Sequence, residues 1–468
     1  MFVLNHCTND ARVLKEAETL GRAGYNVDIV AIASEVAPDY MEEKEYFRIF
    51  RVQPRTALFY LKRFELSVKA LMKRQTTPSR TGRADKVSFK KNVTVQPLPL
   101  NSVKEPTPSP SQEGNTKSPL LGGDLGVGEL LQKNLLSFPA KIFKKIIKKV
   151  FQRYHRLNTY GSYWLKAKKL AESLKADIYH AHDLNTLIPA YWAAKKTHAK
   201  TVYDSHELFT EIQIWGRIER YFYRKLEAFI IKRVDKVITI NNSIAGELVK
   251  RYHIEYPKVI VNCPPPLKRG EANAYDSVLR NAAGIPLDKR LVLYQGGFTQ
   301  YRGLEELIEA FTYLDESFCL VFMGYGKIRN ELEVIVYSKG LNNRIKFLPA
   351  VPQIELLKYT SSADLGVIPY KPVSLNNYYT LPNKLFEYIN AGIPIIASDL
   401  PELRRIIKGY DIGYLFDPYK SESIADAIKY VFSDKERYAA IKANTSKAAG
   451  EYNWNKESKK LLECYSLL

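Results

Sequence analysis

The stretch TLPNKLFEYINAGIPIIAS, residues 380–398, sets Asn383, Lys384 and Glu387 among apolar neighbours. Pro382 suits the first position of a helix, where its missing N–H would be unpaired anyway, so the free amides of Asn383, Lys384 and Leu385 are expected to point outward. Such a helix start attracts an anion. Glu387 would then stand beyond the turn in which a carboxylate merely complements the helix dipole. Two readings stay open for it: a surface pair with Lys384 worth ~0.2–0.5 kcal/mol, or a carboxylate that accepts two ribose hydroxyls while the phosphates rest on the amides above. Two glycine turns suit the same ligand chemistry. YQGGFTQYRGLEEL puts Gly296 and Gly297 after a strand and Arg302 before a helix, where a forked guanidinium fits a diphosphate or simply faces solvent. FMGYGKIRNEL ends another strand with Gly324 and Gly326, which let backbone approach a phosphate or nucleoside and would equally serve a plain tight turn.

A second group of polar residues lies in the first half. HAHD (His180, His182, Asp183) and DSHE (Asp204, Ser205, His206, Glu207) each follow a strand-like run. Histidines and carboxylates at two neighbouring strand ends resemble a metal cluster, but the spacing is not that of a zinc site and no metal is expected. Polar groups gathered at one rim of a sheet better suit a hydroxyl-bearing substrate.

The elements that must position these groups alternate between strand and helix. The first part runs Phe2 to Asn5 as strand, a helix carrying Val13, Ala17 and Leu20, and a strand Val27 to Ala33; ADIYHAHD, AKTVYDSHE, DKVITIN and KVIVNC follow as strands with helices between. CPPP and LKRGEANAYDS break this set, and a second set begins at RLVLYQGG and ends at DIGYLF. Apolar β-branched strands alternating with helices indicate parallel sheets covered on both faces, hence two doubly wound α/β domains in tandem. Ligands bind such sheets beyond the carboxyl ends of the strands, where all the groups above fall.

The expected boundaries are 1–74 with 129–265 for the first domain, 75–128 for a disordered Pro/Ser/Gly-rich insertion, and 266–289 for a linker. Residues 290–450 form the second domain and 451–468 a terminal helix. A length of 468 residues accommodates two cores. Four scattered cysteines fit neither a disulfide framework nor a Cys ligand set, and a reducing, cytosolic compartment is the simpler reading. No membrane span or signal peptide is expected. The formal charge of +20 is concentrated between Lys141 and Lys169, which hold ten Lys/Arg and no Asp/Glu. There AKIFKKIIKKVFQRYHR alternates an apolar stripe with lysines, a pattern able to lie on an anionic membrane surface or to pack with its lysines solvated. A nucleic-acid partner is disfavoured, because the lysines adjoin aliphatic rather than stacking aromatic residues.

Taken together, these stretches resemble the retaining nucleotide-sugar glycosyltransferases of family 4, with the GT-B architecture of two Rossmann-like domains facing a central cleft. The strongest segments are RLVLYQGGFTQYRGLEELIEAF and NKLFEYINAGIPIIASDLPELRRII, followed by IGYLFDP and YNWNKESKKLLECY. The resemblance implies that a nucleotide-diphosphate sugar binds the second domain, a glycan or lipid-linked acceptor the first, and that the last helix crosses back. By position, Glu387 matches the second glutamate of the family's Glu-x7-Glu motif, the ribose ligand. Arg302 matches the diphosphate-holding basic residue, Gly324 and Gly326 the turn near the nucleotide, and Val351 the loop that packs on the base. His182 matches the histidine near the transferred sugar, with His206 a second candidate, and Asp10 and Arg12 match the first-domain helix start beside the acceptor cleft, to which Asp183 and Glu207 also belong. The sequence departs from the family at Tyr379, where the first glutamate would stand, and at Gly297, where a second basic contact would stand. The resemblance implies no cofactor and a location in the cytoplasm or at the inner face of its membrane. A sugar-nucleotide epimerase of the same fold is the alternative.

Overall fold

Val27–Ile32 forms strand β1, which pairs in parallel with β3 (Phe47–Val52), while β2 (Met41–Glu43) runs antiparallel on the outer side of β3. The computed structural model describes residues 1–8, 10–34, 37, 40–54, 139–213, 215–266 and 277–468. The strand expected over Phe2–Asn5 is reduced to bridging backbone. Phe2 pairs with Val30 of β1 on one side and with Ala181 of β4 (Ile178–His182) on the other, both in parallel. From β4 the sheet continues through β5 (Lys200–Ser205), β6 (Lys236–Thr239) and the two-residue β7 (Lys258–Val259), all parallel. Helices cover it. Ala11–Arg22 buries Val13, Ala17 and Leu20, spaced at three and four residues, and Asp10 caps its start by accepting from the Val13 amide.

The second lobe is a six-stranded parallel sheet in the order β10-β9-β8-β11-β12-β13. Its strands are β8 (Arg290–Gln295), β9 (Phe318–Met323), β10 (Ile345–Leu348), β11 (Leu365–Ile368), β12 (Ile395–Ser398) and β13 (Gly413–Phe416). Strands β9, β11 and β12 are buried at every position, as two-sided coverage by helices demands. Chain order reverses between β8 and β11, and that reversal opens a crevice above their carboxyl ends.

Two features refine the expected boundaries. The segment read as a linker contains a helix, Val278–Ala283, whose Leu279 belongs to the second lobe's core together with Val261 and Cys263. The last helix, Trp454–Ser466, returns to the first lobe and buries Trp454, Leu461, Cys464 and Tyr465 in its core. Glu457 on it accepts from the Val261 amide at 2.8 Å, and Trp454 donates to Thr19 Oγ1 at 2.9 Å. Burial of Leu461 alone is worth about 1.5–3 kcal/mol.

Residues 53–163 separate as a contact unit of their own. A long helix, Pro139–Leu174, is described, with side chains from Tyr154 onward. The insertion expected over 75–128 and the basic side chains up to Arg153 lie outside the described residues. All four cysteines are buried free thiols.

Candidate active site

The crevice at the β8/β11 reversal collects the polar residues of the second lobe. β8 ends in Gln295, whose Nε2 donates to Glu387 Oε2 at 2.5 Å and whose Oε1 accepts from Thr360 at 2.8 Å. Glu387 is half-buried, and burial pushes its carboxyl up against the pull of the Gln295 hydrogen bond and of Lys384. Tyr388, the next residue, packs its ring where a Cβ on Gly366 would stand and accepts from the Gln295 amide, which ties the helix to β8 and β11. The helix thus presents Glu387 at a fixed height above the sheet.

Beside it, Lys384 is 6% exposed and its Nζ has no hydrogen-bond partner. The ammonium lies 3.6 Å from the Tyr294 ring centroid and 5.2 Å from that of Tyr370, and a Cβ on Gly296 would come within 3.2 Å of it. Burial, reinforced by the charge of Arg302, holds its pKa well below the ordinary lysine value. Arg302 stacks on the other side of the same environment, 4.0 Å from the Tyr370 ring, with Nε 3.4 Å from Thr299 Oγ1. Two cations therefore converge on the glycine turn after β8, one of them buried and unpaired. An anion there would satisfy both.

The glycines shape this turn. Gly296 has φ +121°, in the region that favours glycine, and a Cβ on Gly324 (φ +153°) would strike the Gly296 carbonyl at 2.0 Å. The turns after β8 and β9 are thus pressed backbone to backbone, joined by the Phe298 amide on the Tyr325 carbonyl at 2.7 Å. Gly326 is confined in the same way by Phe298. Gly297 has an open flank, with Thr299 Cγ2 at 3.8 Å. Val351 is half-buried in the loop after β10, just ahead of the helix Gln353–Ser361.

The helix start differs from the expectation in two respects. Pro382 is extended (ψ 146°) and stands before the first turn, so the helix is Asn383–Asn390. The Leu385 amide is not free: it donates to the Pro382 carbonyl at 3.0 Å, and the Leu385 side chain is core. The pairing of Lys384 with Glu387 at the surface also fails, because Lys384 is buried toward Tyr294.

In the first lobe a buried ionic network sits at the carboxyl rim of β4 and β5. Arg12 donates to both oxygens of Asp204, at 2.8 and 3.0 Å, and to the Ile260 carbonyl at 2.8 Å. Glu16 adds a carboxylate 3.0 Å from the same guanidinium. Burial opposes the charge on Asp204, but Arg12 and His206 outweigh it and hold that carboxyl well below its usual range. Burial, with Asp204 adjacent, pushes Glu16 up. Arg12 is 3% exposed, so it acts through Asp204 rather than in an open cleft. His180 stacks on His182 with centroids 4.4 Å apart, and its Nδ1 lies 2.7 Å from the Tyr465 hydroxyl of the returning helix.

His182 and His206 are brought together, with Nδ1 and Nε2 3.1 Å apart. Burial works against a charge on His206, yet Asp183 and Asp204 lift it to about 9, so it is an imidazolium at neutral pH. Burial and the neighbouring His180 keep His182 neutral. His206 Nε2 lies 3.3 Å from Asp204 Oδ2 as well as 3.1 Å from His182 Nδ1, so its N–H faces a carboxylate and a neutral imidazole together; the far ring nitrogen of His182 is Nε2. That Nε2 is buried and has no partner. Asp183 accepts from the His206 amide at 2.9 Å and adopts φ +65°, a strained geometry for a residue with a side chain. Glu16, His180, His182 and Asp204 hold one ligand atom each within 4.8 Å of one another, a spacing a cation could use. Arg12 already supplies positive charge to both carboxylates of that set.

The two lobes meet through side-chain hydrogen bonds near these sites, most of them to backbone groups. Asn376 accepts from the Leu208 amide at 2.8 Å and donates to its carbonyl and to Glu207 Oε2, both at 3.1 Å. Asn241 donates to the Tyr379 carbonyl at 2.9 Å, and Glu402 accepts from the Ser243 amide at 2.8 Å. Glu207 is therefore engaged at the junction. Sequence reasoning missed Gln295, Thr360, Asn376 and Glu16. Gln295 alone carried a signal, as a polar residue closing an otherwise apolar strand. A cavity of about 1010 Å³ opens at the opposite rim of the first sheet beside Lys236, Lys258 and Glu463, away from all of these groups.

Comparison with known proteins places this geometry. The family described as Glycosyltransferase Family 4 matches residues 131–264, and the one described as Glycosyl transferases group 1 matches residues 277–448. An uncharacterized glycosyltransferase of Methanocaldococcus jannaschii is 29% identical over 241 residues, 50% of this chain and 60% of that protein. A D-inositol 3-phosphate glycosyltransferase of Xylanimonas cellulosilytica is 25% identical over 251 residues, 51% of this chain and 58% of the relative. The chain thus spans about three fifths of the length of these relatives. Sucrose-phosphate synthase of Thermosynechococcus elongatus shares the fold with a TM-score of 0.66 at 15% identity, covering 100% of this chain and 97% of that one. The Anabaena protein HepE in complex with UDP superposes with a TM-score of 0.56 at 18% identity, over 69% of this chain and 89% of that one. With one matching family in each lobe and the two-Rossmann arrangement shared with these structures, the chain belongs to the group 1 glycosyltransferases of GT-B fold.

Proposed function

We propose that the protein transfers a sugar from a nucleotide-diphosphate sugar to a hydroxyl of a glycan or lipid-linked acceptor, with retention of anomeric configuration. The observation that carries this reading is the crevice at the β8/β11 reversal, where a carboxylate fixed by Gln295 stands beside two cations on a glycine turn. Glu387 takes the ribose diol, Arg302 and Lys384 take the diphosphate, and Val351 packs on the base. The names of two relatives, D-inositol 3-phosphate glycosyltransferase and phosphatidyl-myo-inositol mannosyltransferase, are in keeping with a polyhydroxylated acceptor.

In this reading the bond from the anomeric carbon to the diphosphate breaks as the acceptor oxygen approaches from the same face. The electron pair leaves with the diphosphate, where Arg302 and Lys384 neutralise the developing charge. The acceptor proton passes to the departing phosphate oxygen. His182, kept neutral by burial, offers its unpartnered Nε2 to a sugar hydroxyl at the facing rim, with His206 and Asp204 fixing the ring from its other nitrogen. Asp10, Asp183 and Glu207 complete the acceptor side, Asp10 as the cap of the first helix. Placement at an anionic membrane, expected from Lys141–Lys169, belongs to the same reading; among the described residues no helix is long and apolar enough to cross a membrane.

The test is a panel of nucleotide-diphosphate sugars scored by thermal stabilisation, followed by product analysis with cell-envelope extract as acceptor. Stabilisation by one donor and an axial–axial or equatorial–equatorial match between donor and product anomers by NMR is the expected result. Release of free sugar without an acceptor product, or inversion at the anomeric carbon, would overturn it.

A further inference from the structure

The helix Arg217–Ile231 carries its apolar residues on two faces. The inner face buries Tyr223, Ile230 and Ile231 together with Glu227. Glu227 accepts from the hydroxyls of Tyr203 at 2.7 Å and Tyr252 at 2.6 Å, so the rotation of the helix about its own axis is fixed by a buried carboxylate with two partners. The outer face nevertheless presents Ile218 (78% exposed), Tyr221, Phe222 and Phe229 (54%) at intervals of three, four and seven residues, a continuous stripe along one side. A soluble surface has no reason to concentrate four large apolar side chains on one locked helix face.

The charge around this stripe has one sign. Arg217, Lys225, Lys232 and Arg233 are exposed along or beside it, while Arg224 is paired with the buried Glu211. Lys225 reaches over Tyr221 with Nζ 5.6 Å from the ring, and the Arg233 guanidinium lies 3.8 Å from the Phe229 ring, so aliphatic stems cover the aromatics while the cations stay outermost. Glu219, the carboxylate this helix carries besides Glu227, is half-buried and occupied with the Gly216 amide at 2.9 Å. A second copy of the chain against this face would set cations against cations. An apolar stripe under a one-sign cationic fringe, on a helix lying flat along the domain, matches a sheet of anionic headgroups over acyl chains.

We propose that the outer face of Arg217–Ile231 is a membrane-docking surface for anionic lipid, with Ile218, Phe222 and Phe229 entering the headgroup–acyl boundary. The surface stands apart from the basic stretch Lys141–Lys169 and does not depend on the proposed transfer reaction. It does give that reaction a location. The helix leads from the carboxyl end of β5 to the start of the parallel strand β6, so its first turn lies toward the rim that holds His182 and Asp204, and docking would bring that rim toward headgroup level.

The experiment is co-sedimentation of the full chain with vesicles of phosphatidylcholine, with and without phosphatidylglycerol, at low and high salt. The wild type is expected to partition onto the anionic vesicles and to be released by salt. The variant Ile218→Ser/Phe222→Ser/Phe229→Ser is expected to lose roughly tenfold or more of that partition with an unchanged thermal transition. A second variant, Lys225→Gln/Lys232→Gln/Arg233→Gln, leaves the stripe intact and is expected to lose the dependence on phosphatidylglycerol. Equal binding by wild type and both variants would overturn the proposal and assign attachment to Lys141–Lys169. A wild type indifferent to anionic lipid, or an oligomer that dissociates in the first variant by light scattering, would overturn it as well.

Discussion

Replacing Glu387 by glutamine tests the donor site with little change of shape. A carboxylate offers about four acceptor positions. The hydrogen bond from Gln295 occupies one of them, which leaves room for both the 2′ and 3′ hydroxyls of a ribose. A hydrogen bond to a charged group contributes about 1.5–3 kcal/mol, and a bound diol exchanges water for protein at both hydroxyls, so the lower end applies to each and about 3 kcal/mol to the pair. This corresponds to roughly a hundredfold in affinity. Glutamine keeps one carbonyl oxygen but turns an amide toward Gln295 or the diol, so most of that difference should appear. The assay is calorimetry with the nucleoside diphosphate selected by the donor panel and with its 2′,3′-dideoxy analogue, on the wild type and on Glu387→Gln. The wild type should bind the dideoxy compound about a hundredfold more weakly, and the variant should weaken the parent diphosphate by a similar factor while barely changing the analogue. If the substitution weakened both nucleotides equally, or neither, Glu387 would not be the ribose ligand. Glu387→Ala is a coarser probe, because it also orphans the Gln295 amide.

Three further outcomes follow from the same geometry. Lys384→Met should raise the melting temperature, since it removes a buried cation with no partner, while lowering affinity for nucleoside diphosphates at least tenfold and leaving the unphosphorylated nucleoside unaffected; calorimetry and thermal melts read both halves. His206, lifted from 6.5 to about 9, binds its proton more tightly when folded, so its contribution of about 3 kcal/mol is complete below pH 6.5 and is lost as pH rises through about 9. Denaturant melts across that window should show stability falling with pH in the wild type and a flatter profile in His206→Gln. Gly324→Ala forces a Cβ onto the Gly296 carbonyl and should destabilise the second lobe by several kcal/mol with or without ligand, which a loss seen only in ligand binding would contradict.

The alternation of strands and helices was legible because parallel sheets buried on both faces leave long apolar runs, and the glycine turns lay where those runs stop. The same logic located His182, His206 and Glu387 at strand ends or helix starts. It failed where function depends on pairing between distant segments. Glu16 reads as one more polar residue of an amphipathic helix, yet its burial beside Arg12 and Asp204 depends on residues 188 positions away. Arg12 and Asp10 show the same limit: position along the chain suggested a cleft, and packing made one a buried counter-ion and the other a cap. Gln295 matters only through Glu387, 92 residues on. The short antiparallel β2 carries no turn signal strong enough to separate it from a loop.

Lys384 alters the meaning of the two departures from the family pattern. Gly297 lacks the side chain that would supply a second basic contact, but the Lys384 ammonium reaches the same turn from the helix Asn383–Asn390 and passes beneath Gly296 because a glycine stands there. The second cation is thus delivered from another element, and a side chain at Gly296 would displace it. Tyr379 is a different matter. Its carbonyl accepts from Asn241 of the first lobe, and Glu247 and Arg251 of that lobe act on its phenol electrostatically, so the residue faces the junction between the lobes. A carboxylate at that position would stand between Glu247 and Arg251 of the first lobe. In the proposed reading the second diphosphate contact is relocated to Lys384, and Tyr379 offers the sugar no carboxylate. In the same reading the sugar-binding wall is built from other groups, and His182, whose buried Nε2 has no partner at the first lobe's rim, is one candidate.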